Sequence, residues 1–120
     1  MRGPDDVDHA WFNLKEDVPD LQFAEAARAY LEHLKEDGQL VAYRIARCKL
    51  DLAPPNLREW RITLDFLGLG QLAQAFTAVS QRTDPIESFY QAVNSKVCDI
   101  FFALYGDFPE THRVTGQEKF

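Results

Sequence analysis

Two segments carry side chains capable of chemistry at every second position. His9, Trp11 and Asn13 alternate in DHAWFNLKE, and Arg61, Thr63 and Asp65 alternate in REWRITLDF. In an extended strand that spacing places each trio on one face. The imidazole of His9 titrates closest to neutral pH, so His9 is the candidate general base or hydrogen-bond donor. A guanidinium pairs with an anion or a developing enolate, a role open to Arg61, and to Arg44 in LVAYRIARCKL; Asn13 can steady the same charge. Asp99 and Phe101, from KVCDIFFALYGDF, complete the set. Such a group suits a cleft in which aromatic rings hold a small, flat, anionic or neutral molecule. The same residues also serve structure alone. Arg61 can pair with Asp65 or with Asp99, and such pairs fix register without doing chemistry.

Other chemistries find little support. His9, His33 and His112 are scattered, with no carboxylate at ligand spacing, so no metal site is expected. His33 lies beside Glu32 and Lys35 on a solvated helix face and His112 lies in a polar tail, so neither suits a haem ligand and no cofactor is expected. Cys48 and Cys98 stand alone, without a CxxC, and read as core thiols in a reducing compartment. The net charge of −6, unbroken by any Lys/Arg cluster, argues against nucleic acid, whose phosphates need a basic footprint. No apolar run approaches the roughly 20 residues of a membrane span. MRGPDDVDH lacks the apolar core of a signal peptide, which makes the cytoplasm the expected location.

The elements that must position these residues follow from periodicity. A chain of 120 residues is one domain, and a hydrophobic content of 46% suffices for a packed core. Asp8–Glu16 reads as a strand with Ala10, Phe12 and Leu14 opposite His9, Trp11 and Asn13. A helix follows, with Pro19 at its first position, Asp20 at the positive end of its dipole and Gly38 closing it. Its apolar stripe is Leu21, Phe23, Ala24, Ala27, Tyr30, Leu31 and Leu34. Leu40–Leu50 is the second strand, Pro54 and Pro55 mark a loop, and Arg58–Phe66 is the third strand. A helix over Gln71–Gln81 presents Leu72, Ala75, Phe76 and Val79. Another opens at Asp84 with Pro85 and Glu87 as a capping box, and carries Ile86, Phe89, Tyr90 and Val93. In the last strand Cys98, Ile100, Phe102 and Leu104 are expected on one face, and Val97, Phe101, Ala103 and Tyr105 on the other.

Strand, helix, strand, strand, broken helix, strand is the split βαβ order of ferredoxin-like α+β folds. It predicts a four-stranded antiparallel sheet with both helices on one face. The helix-free face is rich in aromatic groups, and monomers rarely expose so large an apolar patch. A second copy packed sheet to sheet is the simplest cover, so a homodimer is expected.

DHAWFNLKE at the start of the sheet, the two-part second helix and the aromatic closing strand CDIFFALYGDFP together resemble the dimeric α+β barrel superfamily. The likeness is strongest to its stress-responsive branch and to small bacterial proteins near it, and it spans Asp8 to Pro109. The resemblance implies one ferredoxin-like domain over 8–109, with a leader at 1–7 and a polar tail at 110–120. It also implies a range of activities: cofactor-independent oxygenases, lactone isomerases, polyketide cyclases, haem-handling enzymes, and proteins with no known activity. In some cyclases of that superfamily a first-strand histidine takes part, and His9 occupies a comparable strand.

Two functional readings follow. In the first, the protein is a non-enzymatic homodimer, stress-related by resemblance, that binds a small aromatic or hydrophobic metabolite between its helix-free face and the partner. In the second, it is a cofactor-independent monooxygenase, isomerase or cyclase with His9 as base. The second requires a cavity of at least about 300 Å3 on the mixed face, with the His9 ring directed into it.

Overall fold

The computed structural model describes residues 6–68, 70–71, 91, 93–109 and 114–116. They comprise β1 (Asp6–Leu14), α1 (Asp20–Glu36), β2 (Ala42–Arg47), β3 (Trp60–Phe66) and β4 (Val97–Gly106). The strands form one sheet in the order β2-β3-β1-β4, every neighbouring pair antiparallel. That is the ferredoxin-like arrangement, with the β1 and β3 trios on adjacent strands. The helices expected over Gln71–Gln81 and from Asp84 onward, with Leu72, Ala75, Phe76, Val79, Ile86, Phe89 and Tyr90, lie outside the described residues. Helical backbone is present at 70–71 and at 93–94. No helix among the described residues is long and apolar enough to cross a membrane.

α1 begins and ends for local reasons. Pro19 holds φ −65° and ψ 136°, extended backbone, so it caps the helix from outside and is not its first residue. The carbonyl of Pro19 accepts the first helical bond, from the Phe23 amide, at 3.1 Å. At the far end Gly38 adopts φ 74°, a conformation open to glycine. Its amide donates to the Lys35 carbonyl at 3.1 Å and the Gln39 amide to the Leu34 carbonyl at 2.9 Å, the paired bonds of a Schellman stop. Phe23, Ala27, Leu31 and Leu34 are buried at helical spacing. Leu21 was expected in this stripe but is 76% exposed, because two residues at about 100° each turn it well away from Phe23.

The register assigns every strand residue to a face. Toward α1 run the cross-strand rows Tyr43–Leu64–Asp8–Leu104 and Ile45–Ile62–Ala10–Phe102. Away from it run Arg44–Thr63–His9–Ala103, Ala46–Arg61–Trp11–Phe101 and Ala42–Asp65–Val7–Tyr105. The core sits between α1 and the first set. Phe12, Phe23 and Trp60 meet ring to ring there, Phe12–Phe23 and Phe23–Trp60 both at 5.4 Å between centroids. Tyr43 pins the sheet to the helix by donating from its hydroxyl to Glu32 Oε1 at 2.8 Å.

Two strands start or stop earlier than periodicity alone suggests. β1 spans Asp6–Leu14 where Asp8–Glu16 was expected, since Asp6 already pairs with Phe66 and Gly106 and the chain turns at Asp17 with φ 69°. β2 ends at Arg47, and positive φ at Leu50 and Asp51 carries the chain away from β3.

β4 holds the main correction. Its pairing with β1 shifts between Trp11 and Asn13, where Asp99 takes φ 54° as the extra residue of a bulge. Val97 therefore pairs with Leu14 and is buried on the helix-bearing face, while Cys98 pairs with Asn13 on the other. The expected assignment of these two residues is reversed. One inserted residue exchanges the faces of everything before it.

Candidate functional site

The helix-free face gathers most of the candidate residues. The His9 ring stacks on Trp11 at 5.4 Å and 12° and meets the edge of Tyr105 at 5.1 Å. Trp11 stacks in turn on Phe101 at 5.5 Å, and the Arg58 guanidinium caps Phe101 at 5.3 Å. The result is a continuous row, Tyr105–His9–Trp11–Phe101–Arg58, running obliquely over β1 and β4. Cation–aromatic contacts of this kind contribute about 0.5–1 kcal/mol when exposed. Tyr105 was legible as a member of this face from alternation alone, whereas Arg58, expected within the third strand in phase with Trp60, lies before β3, which begins at Trp60.

The polar members divide into two groups. Asn13 uses both ends of its amide: Nδ2 donates to Asp99 Oδ2 at 3.4 Å and Oδ1 accepts from the Glu59 amide at 3.1 Å. Arg58 Nε donates to the Asp99 carbonyl at 3.1 Å. Asn13 and Asp99 thus fasten the bulged end of β4 to the segment entering β3. Arg44, Thr63, Arg61 and Asp65 lie on the open part of the face. Arg61 and Asp65 do not pair, because four residues along a strand separate them by about 13 Å. Among the described residues neither Arg44 nor Arg61 makes an ion pair.

His9 is held below the usual histidine range, first by burial and then by the Arg61 cation, with Asp8 and Asp65 opposing in part. Its Nδ1 is buried with no hydrogen-bond partner among the described residues. A hollow of about 210 Å3 opens on this side beside Trp11, Arg58 and Arg61, and His9 is not among the residues that line it. Among the described residues no three His, Cys, Asp or Glu side chains converge as a metal site would require.

The opposite face contains the larger space. A hollow of about 630 Å3 lies between the sheet and α1, floored by Ala10, Ile62, Leu64 and Phe102 and walled by Leu31. It opens toward β4, where Phe102 is 64% exposed. In this apolar floor stands one acid, Asp8, which is only 8% exposed. Its strand partners are Leu64 and Leu104, and no hydrogen bond reaches its carboxyl among the described residues. Burial raises its pKa above 3.8, and the neighbouring His9 opposes this only in part. Asp8 was absent from the sequence-based candidates, although a signal existed: it shares the apolar phase of β1 with Ala10, Phe12 and Leu14.

The raised pKa has a definite sign in stability. Below 3.8 both the folded and the unfolded chain hold the proton on Asp8, and the burial costs no charge. As pH rises through the higher folded value, the unfolded chain ionises freely while the fold resists, so stability is lost. Asp8→Asn is therefore expected to exceed the wild type in urea stability at neutral pH, with the gain shrinking toward pH 4. A gain that stays constant across that range would show that Asp8 is well solvated.

The fold and the two faces define a ferredoxin-like α+β chain, with an apolar hollow on the helix side and an aromatic row on the other. The chain belongs to DUF6614, a family of unknown function, whose match extends over residues 6–120. No curated protein matches it. Among solved structures it is similar to a dimeric ferredoxin-like protein of unknown function from Thermobifida fusca, at 17% identity and a TM-score of 0.57, over 88% of this chain and 92% of that one. A dimeric ferredoxin-like protein of unknown function from Jannaschia is similar at 9% identity and a TM-score of 0.62, over 84% and 97%. A cofactor-independent oxygenase from Streptomyces nogalater is similar at 6% identity and a TM-score of 0.62, over 94% and 100%. At such identities the likeness establishes the fold alone.

Proposed function

We propose that the protein works as a homodimer joined through the helix-free faces of its sheets, each subunit binding a small ring-bearing metabolite in the hollow on the helix side. The carrying observation is that hollow, whose volume of about 630 Å3 and carbon-rich walls match a small-molecule site. Pairing is supported by the exposed Tyr105 beside the partly buried His9, Trp11 and Phe101, and by the dimeric relatives in fold. On this reading His9, Trp11, Arg44, Arg61, Thr63, Asp65 and Phe101 serve the subunit contact, and Asn13 and Asp99 secure its edge.

Filling the hollow tests the proposal. The neutral dye N-phenyl-1-naphthylamine brightens in apolar surroundings and is expected to titrate the wild type saturably. Ala10→Trp places an indole on the floor and is expected to weaken the dye at least about tenfold while the elution volume stays unchanged. Undiminished dye binding in that variant would remove the hollow as the site.

A second reading sets the ligand between the two sheets, with Arg44 or Arg61 meeting an anion. The lack of ion pairs on these arginines among the described residues favours it. Proton abstraction by His9 gains less support, since its ring is stacked and lies outside the 210 Å3 space. His9→Ala separates the readings by ligand-induced thermal shift over a panel of aromatic metabolites. Shifts equal to those of the wild type would place the ligand away from His9.

A further inference from the structure

We propose that the Asp8 carboxyl is the recognition group of the helix-side hollow, and that the hollow selects neutral aromatic molecules bearing a carbonyl or hydroxyl oxygen. The inference rests on the hollow being the binding site and specifies its ligand. The sheet places Asp8 in the centre of an apolar field. Leu64 and Leu104 are its partners on the two adjoining strands, and Ala10 is the next residue on the same face of β1. Four strand residues around the floor (Ile62, Leu64, Phe102 and Leu104) offer only carbon.

An ionised carboxylate in such surroundings loses most of its hydration with no compensating partner, so the neutral acid is favoured there. The raised pKa of Asp8 agrees with that placement. A neutral carboxyl offers one O–H donor and a carbonyl acceptor. Neither is used by a hydrogen bond among the described residues, so both are open to a ligand in the hollow. A ligand ketone accepts from the O–H, and a ligand hydroxyl donates to the carbonyl oxygen. A plain hydrocarbon fills the space but leaves the carboxyl unpaired, and an anionic ligand sets a second acid against the first. Sites that hydrogen-bond a ligand oxygen reject analogues lacking it more strongly than apolar walls reject small changes of shape.

The test uses the full chain and three matched probes: tetralin, 1-tetralone and 1-naphthoate, titrated by isothermal calorimetry from pH 4 to pH 8. The wild type is expected to prefer 1-tetralone over tetralin by about tenfold at the acid end of that range, with 1-naphthoate weakest at the neutral end. The preference should fall as pH rises and Asp8 ionises. Asp8→Asn, whose amide still donates, is expected to keep the preference and lose its pH dependence. Asp8→Leu is expected to bind tetralin as well as the wild type does and to show no preference for the ketone. Equal binding of tetralin and 1-tetralone in the wild type, or an undiminished preference in Asp8→Leu, would overturn the role of Asp8 and leave the hollow standing as a site. Failure of the wild type to bind any probe would overturn both.

Discussion

Trp11→Lys is expected to sediment as a monomer at micromolar concentration, where the proposed pairing makes the wild type a dimer. Trp11 lies at the middle of the helix-free face, paired with Arg61 on β3 and Phe101 on β4. A lysine there faces the Arg61 guanidinium across the strands, a like charge on its directly paired residue. Closing a second sheet over those two cations would bury uncompensated charge, which costs about 3–5 kcal/mol and weakens association by two to four orders of magnitude. The fold itself should persist, because Trp11 is on the side opposite α1 and the core. Circular dichroism of α1 checks that point, and Ala103→Lys, on the β4 strand of the same face, provides an independent variant. A wild type that remains monomeric at micromolar concentration, or a Trp11→Lys protein that still pairs, would remove the subunit contact from this face.

Phe12→Ala is expected to lower unfolding stability by about 3–5 kcal/mol in urea titration, enough to leave a domain of this size marginal. Phe12 is 1% exposed and stands on the helix side of β1, with its ring against Phe23 of α1. Phe23 in turn meets Trp60 of β3, so the three rings tie the helix to two adjoining strands. Truncation removes both the transfer free energy of the ring and its packing contacts, and neighbours anchored on a sheet relax little into the gap. A loss below about 1 kcal/mol would mean that α1 re-seats over the cavity, and that this contact does not fix the helix.

The candidate residues show how far alternation reads and where it stops. In β1 and β3 the period of two holds from end to end, so the side-by-side placement of His9, Trp11, Arg61 and Thr63 was available from spacing plus the ferredoxin-like order. The stop of α1 was available too, because Gly38 supplies a backbone conformation that other residues resist. In β4 the same reasoning misplaced Val97 and Cys98. Asp99 gives no sequence sign that distinguishes a bulge from a regular strand residue, and the shift arises only when β4 pairs with β1. The proposed pairing of Arg61 with Asp65 failed for a simpler reason: four strand residues span about 13 Å, beyond the reach of an ion pair.

Asp8 falls between these cases. Its phase in β1 assigns it to the apolar face, and that much was written in the alternation. Its consequence was not, because the desolvation that raises its pKa comes from Leu64 and Leu104, which are distant in sequence and are brought beside it by pairing on both flanks of β1.

By itself, then, the sequence determined which residues of β1 and β3 alternate, where the helix stops and the order of elements that makes this sheet, because those depend on neighbours within a few positions. The tertiary structure alone decided the register of β4, the volume between sheet and helix and the environment of Asp8, because each depends on distances between segments that no local periodicity encodes.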